Sequence, residues 1–215
     1  EFGKDNLYSR IDRMASLHPA YIDVTWGAGG STADKTLEMC KTIQKYFGLE
    51  VMMHLTCTNM PVSSIKKILT EAKENDLFNI LALRGDPPEG SLTWEKHTDG
   101  FRYGVDLVRY IRKEFGDNFF LGVGGYPDGH QEQTDIDIDI NYLKEKVDAG
   151  SDIVVTQLFY DVDKFLLFRD KCVKAGIKAP IIPGIMPIHN YGRFLKFTQF
   201  CKLSIPDSVS TQLES

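Results

Sequence analysis

The run Asn79-Ile80-Leu81-Ala82-Leu83-Arg84-Gly85-Asp86-Pro87-Pro88 decides the fold. Its first half reads as a short buried strand, and the chain then turns polar within one step. Glycine permits a tight turn and the proline pair halts regular structure, so Arg84 and Asp86 are left at the strand's C-terminal end. The same arrangement recurs along the chain. Thr25, His54, Tyr126, Gln157 and the Pro183 to Pro187 segment each fall at or just past the C-terminal end of another apolar run. A barrel gathers all its strand ends at one mouth, whereas an open doubly wound sheet focuses its site at one crevice. Polar residues spread over so many strand ends favour an α/β fold of the (β/α)₈ barrel type.

Working outward, apolar runs predict strands at Tyr21 to Thr25, Glu50 to Leu55, Asn79 to Leu83, Phe119 to Gly124, Asp152 to Thr156 and Ala179 to Pro183. They are near-continuously apolar, as expected of strands covered on both faces. Helical spacing predicts helices at Thr32 to Phe47, Val62 to Asp76, Gly100 to Phe115, Asp139 to Ala149, Asp161 to Ala175 and Tyr191 to Cys201. A further helix, Asn6 to Ala15, precedes the first strand. Ser31 or Thr32, Asp161 and Asn190 are candidate caps, and Gly48, Gly116, Gly150 and Gly176 stand where helices end. A barrel opens on a strand, so the leading helix implies a strand upstream of Glu1. The pattern is that of most of one barrel domain over residues 1–215, with the first strand and the last strand-helix unit outside it.

The 215 residues carry a net charge of −5 and a pI near 5.6 without a basic stretch, which argues against nucleic acid and acidic membrane surfaces as partners. No apolar run reaches the roughly 20 residues of a membrane span. Cys40, Cys57, Cys172 and Cys201 lie far apart, giving neither a disulfide framework nor zinc-ligand spacing. A cytoplasmic protein with reduced thiols is expected.

Several strand-end groups could carry chemistry. Arg84 with Asp86 is either a structural ion pair or a ligand-facing pair. Thr25-Trp26-Gly27-Ala28-Gly29-Gly30-Ser31 is a glycine-rich turn into a helix, able to receive an anion or simply to pack closely. It lacks both the dinucleotide fingerprint and the lysine of a phosphate-binding loop. His54 is either a satisfied structural residue or a cofactor contact. Gly124 to His130 places an aromatic ring and a histidine in one loop, and Gln157 offers both donor and acceptor to a heterocycle. No catalytic triad, metalloprotease helix or metal cluster can be assembled.

Read in order, Tyr-Ile-Asp-Val-Thr-Trp at 21–26, His-Leu-Thr-Cys at 54–57, Leu-Arg-Gly-Asp-Pro at 83–87, Tyr-Pro-Asp-Gly-His at 126–130, Thr-Gln-Leu-Phe at 156–159 and Ile-Pro-Gly-Ile-Met-Pro at 182–187 resemble the methylenetetrahydrofolate reductase family, eukaryotic type. The resemblance implies a (β/α)₈ barrel that binds FAD and takes NADPH or NADH as co-substrate. It would reduce 5,10-methylenetetrahydrofolate to 5-methyltetrahydrofolate in a ping-pong cycle. It implies Thr25, His54, Leu83, Arg84, Gly85, Asp86, Tyr103, Gly125, His130, Asp139 and Lys146 as FAD contacts. Asp86 is implied as the catalytic carboxylate near flavin and pterin, with Gln157 and Tyr191 contacting the folate. Tyr142 and Glu145 stand where bacterial relatives present asparagine and arginine, so those contacts do not carry over. The family's acidic glutamate on the first strand is expected upstream of Glu1. A homodimer and an S-adenosylmethionine-binding regulatory domain are implied for the intact protein. The alternatives are a noncatalytic flavin- or folate-binding fragment and another flavin or pterin barrel oxidoreductase.

Overall fold

The computed structural model describes residues 2–26, 33–85, 97–130, 132–133, 135–201 and 203–214. Six strands alternate with helices: α1 (Phe2–Ala15), β1 (Ile22–Val24), α2 (Ala33–Phe47), β2 (Val51–Thr56), α3 (Val62–Glu74), β3 (Asn79–Leu83), α4 (Gly104–Phe115), β4 (Phe120–Gly125), α5 (Ile136–Asp148), β5 (Ile153–Leu158), α6 (Val162–Lys174), β6 (Ile181–Gly184), α7 (Tyr191–Cys201) and α8 (Asp207–Glu214). The strand order is β1-β2-β3-β4-β5-β6, each joined to the next through a helix. This is the order of a (β/α)₈ barrel, six of whose strands lie among the described residues. The chain divides within β4 into two compact units, residues 1–122 and 123–215.

In the first unit β1 pairs parallel with β2, Ile22 opposite Val51, and β2 with β3, Met52 opposite Asn79. Val51, Met52 and Met53 are consecutive and all buried, so both faces of β2 are covered. Leu37, Cys40 and Ile43 of α2, Ile65, Leu69 and Ala72 of α3, and Leu107, Val108 and Ile111 of α4 are buried at helical spacing. Each large side chain among them stabilises the unit by about 1.5–3 kcal/mol through burial. In the second unit β5 pairs parallel with β6, and Phe159 stacks on Phe165 with centroids 4.6 Å apart. Phe168 and Cys172 of α6 and Ile140 and Leu143 of α5 are buried in its core.

β2, β4, β5 and β6 run further toward their C-terminal ends than the sequence predicts, whereas β1 stops at Val24 and β3 ends at Leu83 as predicted. β2 includes Thr56 because Leu55 and Thr56 pair with Ala82 and Leu83, so His54 stands two residues before the strand's end. β5 likewise includes Gln157 and Leu158. α5 begins three residues before the predicted Asp139, since the Asp135 carboxylate accepts from the amides of Asp137 and Ile138 and caps the helix there. α4 begins at Gly104, later than predicted, because the Asp106 carboxylate holds the amides of Arg102 and Tyr103 outside the helix. Asp161 and Asn190 cap α6 and α7 as expected. Gly48, Gly116, Gly150 and Gly176 all have positive φ. α8 has no counterpart in the sequence reading. It is eight residues long and follows Pro206, whose carbonyl accepts from Val209.

Candidate functional site

At the ends of the first unit's strands, Thr25 follows β1 and its carbonyl lies 3.5 Å from the Thr36 hydroxyl of α2. Trp26 is buried at 4% exposure. On β2, the His54 Nε2 stands 3.3 Å from the Asp23 carboxylate on β1. With the proton on Nε2 it donates to Asp23, and Nδ1 becomes an acceptor. Asp23 is a partner that sequence reasoning missed, because it alternates out of an apolar strand as any solvated residue would.

Leu83 ends β3, and the Arg84 carbonyl accepts from the Thr58 amide at 3.2 Å and the Thr58 hydroxyl at 2.7 Å. These bonds extend the strand's alignment past its last residue. The Arg84 guanidinium lies 5.5 Å from the centroid of the Tyr103 ring, with Arg102 5.3 Å from the same ring. Tyr103 remains 44% exposed, so its ring is a surface rather than core filling. Gly85 has φ +94, and a Cβ there would come within 2.9 Å of the Thr56 Cβ. A side chain is excluded on both counts. Asp86, the Gly27 to Ser31 turn and most of the Pro87 to Asp99 loop lie outside the described residues.

In the second unit, β4 ends at Gly125, where a Cβ would meet Val154 Cγ1 at 2.9 Å and Phe168 Cζ at 3.1 Å. The glycine therefore serves close strand packing. The Lys146 ammonium donates to the Gly124 carbonyl at 2.8 Å and lies 5.8 Å from the Tyr126 ring centroid. The His130 ring meets Tyr126 edge-on, with centroids 4.7 Å apart. Lys146, Tyr126 and His130 thus form one cluster at the end of β4.

Asp139, two turns before Lys146 on α5, is 8% exposed. Burial lifts its carboxyl to about 6, against which Lys146 acts favourably, and burial pulls the Lys146 ammonium down to about 8. Between the ordinary carboxyl value of 3.8 and about 6, the folded protein holds a proton that the unfolded chain has released. Stability from this group therefore falls as pH rises through that window. Lys146 has the opposite slope: its charged form is disfavoured by folding, so stability rises from about pH 8 toward 10.5. Asp139→Asn is expected to remove the fall below pH 6 from a denaturant-midpoint profile, which an unchanged profile would contradict.

Gln157 sits at an irregularity of the β5·β6 ladder. Val155 is opposite Ile182 but Leu158 is opposite Gly184, three steps on β5 against two on β6. Such a bulge re-aims a side chain. Gln157 is exposed, with its amide oxygen accepting from the Leu158 amide at 3.0 Å. Tyr191 opens α7 beside a concavity of about 280 Å³ lined by Tyr160, Met186, His189, Asn190, Arg193 and Phe194 among others. The structure thus joins Arg84 to Tyr103, and His130 and Lys146 each to Tyr126, while Gln157 and Tyr191 stand on separate elements of the second unit. Among the described residues there is no cluster of three or more metal-ligating side chains, and no helix is long and apolar enough to cross a membrane. None of the four cysteines is in a disulfide.

Two solved structures show the fold alone. A 2,3-dimethylmalate lyase aligns over 89% of this chain and 77% of its own with a TM-score of 0.55 at 10% identity. A Clostridium thermocellum protein that binds two copies of 5-methyl-5,6,7,8-tetrahydrofolic acid aligns over 95% and 79% with a TM-score of 0.50 at 14% identity. Sequence likeness reaches further. Methylenetetrahydrofolate reductase (NADH) 1 of Arabidopsis thaliana is 48% identical over the whole chain, which spans 38% of that protein's length. The 5,10-methylenetetrahydrofolate reductase of Salmonella typhimurium is 39% identical over 98% of the chain, which covers 69% of it. The family description "Methylenetetrahydrofolate reductase" matches residues 1–215 without a break. The chain belongs to the methylenetetrahydrofolate reductase family.

Proposed function

We propose that the whole protein reduces 5,10-methylenetetrahydrofolate to 5-methyltetrahydrofolate with bound FAD and a nicotinamide co-substrate, in two successive half-reactions. The family match over the entire chain carries this reading. The name of the Arabidopsis relative supports NADH as the reductant over NADPH.

The residues present fit FAD. In the first unit Arg84 is a cation suited to its diphosphate, His54 and Thr25 offer polar atoms for its hydroxyls, and the exposed Tyr103 ring offers an aromatic face. Leu83 and Gly85 would contribute backbone, Gly85 at a turn packed against Thr56 and Thr58. In the second unit Lys146 is a cation of the same kind, and Gly125, His130 and Asp139 are further proposed contacts. When bound, FAD supplies the two-electron chemistry that no side chain can perform.

The protein's own tasks are binding, orientation and charge. Asp86 would act as the catalytic carboxylate, Gln157 would hydrogen-bond the pterin, and Tyr191 would pack on the planar guest. Gln157 suits its task because its carboxamide stands exposed at a bulge. A homodimer and control by S-adenosylmethionine belong to the same reading of the intact protein.

The test is anaerobic stopped-flow spectroscopy of flavin-supplemented protein. The expected result is a band near about 450 nm that NADH bleaches and methylenetetrahydrofolate restores. Folded protein without that band would sink the assignment. A band that NADH bleaches but folate leaves bleached would favour a different oxidoreductase.

A further inference from the structure

The loop that carries Tyr126 and His130 contains a third residue with no role in the reading above. Asp128 is 11% exposed at its side chain, although aspartate in a surface loop is ordinarily solvated. Its Oδ1 receives the Ser204 hydroxyl and stands 3.3 Å from the Lys164 ammonium, and Lys164 also donates to the Ser204 oxygen at 2.7 Å. The three groups close a ring of contacts. Ser204 follows α7 and lies 76 positions along the chain from Asp128, while Lys164 stands in the first turn of α6. The other carboxylate oxygen, Oδ2, is buried and meets no donor among the described residues. A carboxylate is held in that condition only if the cation and hydroxyl on its partner oxygen compensate it.

The loop's internal bonds are local: the Gly129 amide donates to the Tyr126 carbonyl, the Gln133 amide to the His130 carbonyl, and the Glu132 amide to the His130 Nδ1. These bonds stay within the turn, which also meets α5 through the Lys146 ammonium beside the Tyr126 ring. Among the described residues, the Asp128 carboxylate links the turn to α6 and to the segment after α7.

We propose that Asp128, clamped by Lys164 and Ser204, is a positioning residue that fixes the Tyr126 to His130 loop in advance and so pre-forms the flavin contacts of the second unit. The inference rests on the flavin reading above for its ligand, and on the clamp alone for its effect on the loop. A loop already ordered loses less freedom when the ligand arrives, and affinity rises accordingly.

Hydrogen exchange at the Gly129, Glu132 and Gln133 amides reads the loop without turnover, and a flavin titration reads the ligand. Lys164→Met and Ser204→Ala are expected to speed exchange at these amides about tenfold or more while amides of β5 keep their protection. The same variants should weaken FAD binding about tenfold. Lys164→Arg should retain both properties, because it keeps the cation. The double variant Asp128→Asn/Lys164→Met should exchange more slowly than Lys164→Met alone, since the single change strands a buried charge that the double change removes. Unchanged loop exchange in Lys164→Met and Ser204→Ala would overturn the inference, as would a loosened loop with undiminished FAD affinity. Failure of the unaltered protein to take up FAD would instead overturn the flavin reading, and the clamp would then stand or fall on the exchange rates alone.

Discussion

Gly184→Ala is expected to destabilise the protein by about 3 kcal/mol or more, at the upper end of what overpacking costs. The added Cβ would lie 2.5 Å from the Thr156 carbonyl oxygen and 3.2 Å from the Leu158 nitrogen, both backbone atoms of the neighbouring strand. A flexible side chain could swing away from such a contact. Backbone held in a ladder cannot. The Gly184 amide also donates to the Thr156 hydroxyl at 2.9 Å, so moving β6 outward would break that bond as well as relieve the clash. The loss should appear as a lowered urea midpoint with an unchanged slope. It should also appear at the bulge, since Gln157 lies between the two residues that the new methyl would push. Gly176→Ala is the contrast. Its φ of +85 is strained for alanine, yet nothing stands within 4 Å of the added Cβ, so the cost should be limited to about 1 kcal/mol of backbone strain. A smaller loss at Gly184 than at Gly176 would show that β5 and β6 are not packed as tightly as their register implies.

Those two glycines also mark where the sequence stops being legible. Gly176 is readable, because it ends a helical stripe and a left-handed residue is needed there whatever the tertiary structure. Gly184 is not. Its reason lies in the approach of a strand some 28 positions earlier in the chain, which no local pattern encodes. The same division runs through the whole protein. The sequence predicts β3 at Asn79 to Leu83 and it occurs there, because Gly85, at φ +94, turns the chain locally. β2 and β5 extend past their predicted ends because their neighbours supply hydrogen-bond partners, which is tertiary information. Among candidate site residues, Arg84 and His130 are conspicuous as polar residues beside apolar runs. Tyr103 and Lys146 enter only through family resemblance, since each sits on or beside a helix where a tyrosine or lysine is unremarkable. Asp23 and Asp128 escaped altogether. Each is an ordinary aspartate until the His54 ring or the Lys164 ammonium is brought to it.

On the flavin reading proposed above, Lys146→Met should weaken FAD binding by roughly 10- to 100-fold, the effect of losing one or two charge-assisted hydrogen bonds to an anionic ligand. Methionine keeps most of the stem, so the change removes the ammonium with little loss of volume. Two other consequences follow from the site's electrostatics. The Gly124 carbonyl loses its 2.8 Å donor, and Asp139 loses the cation that favours its ionised form. The Asp139 carboxyl, already at about 6, should then titrate higher still, and the pH window over which stability falls should extend upward with it. Protonation limits the damage. Near neutral pH the stranded carboxyl can take up a proton rather than remain a bare buried charge, so the fold should survive while the affinity does not. The double variant Asp139→Asn/Lys146→Met separates the two effects, because neutralising both groups removes the stranded charge but restores no cation for the ligand. It should recover the stability lost in Lys146→Met and leave FAD binding as weak as in the single variant. Flavin titration alongside denaturant midpoints at pH 5, 6, 7 and 8, values chosen to bracket the Asp139 window, makes the comparison. Recovery of FAD affinity in the double variant would mean that Lys146 acts only by compensating Asp139, and that the cation holding the anionic ligand lies elsewhere.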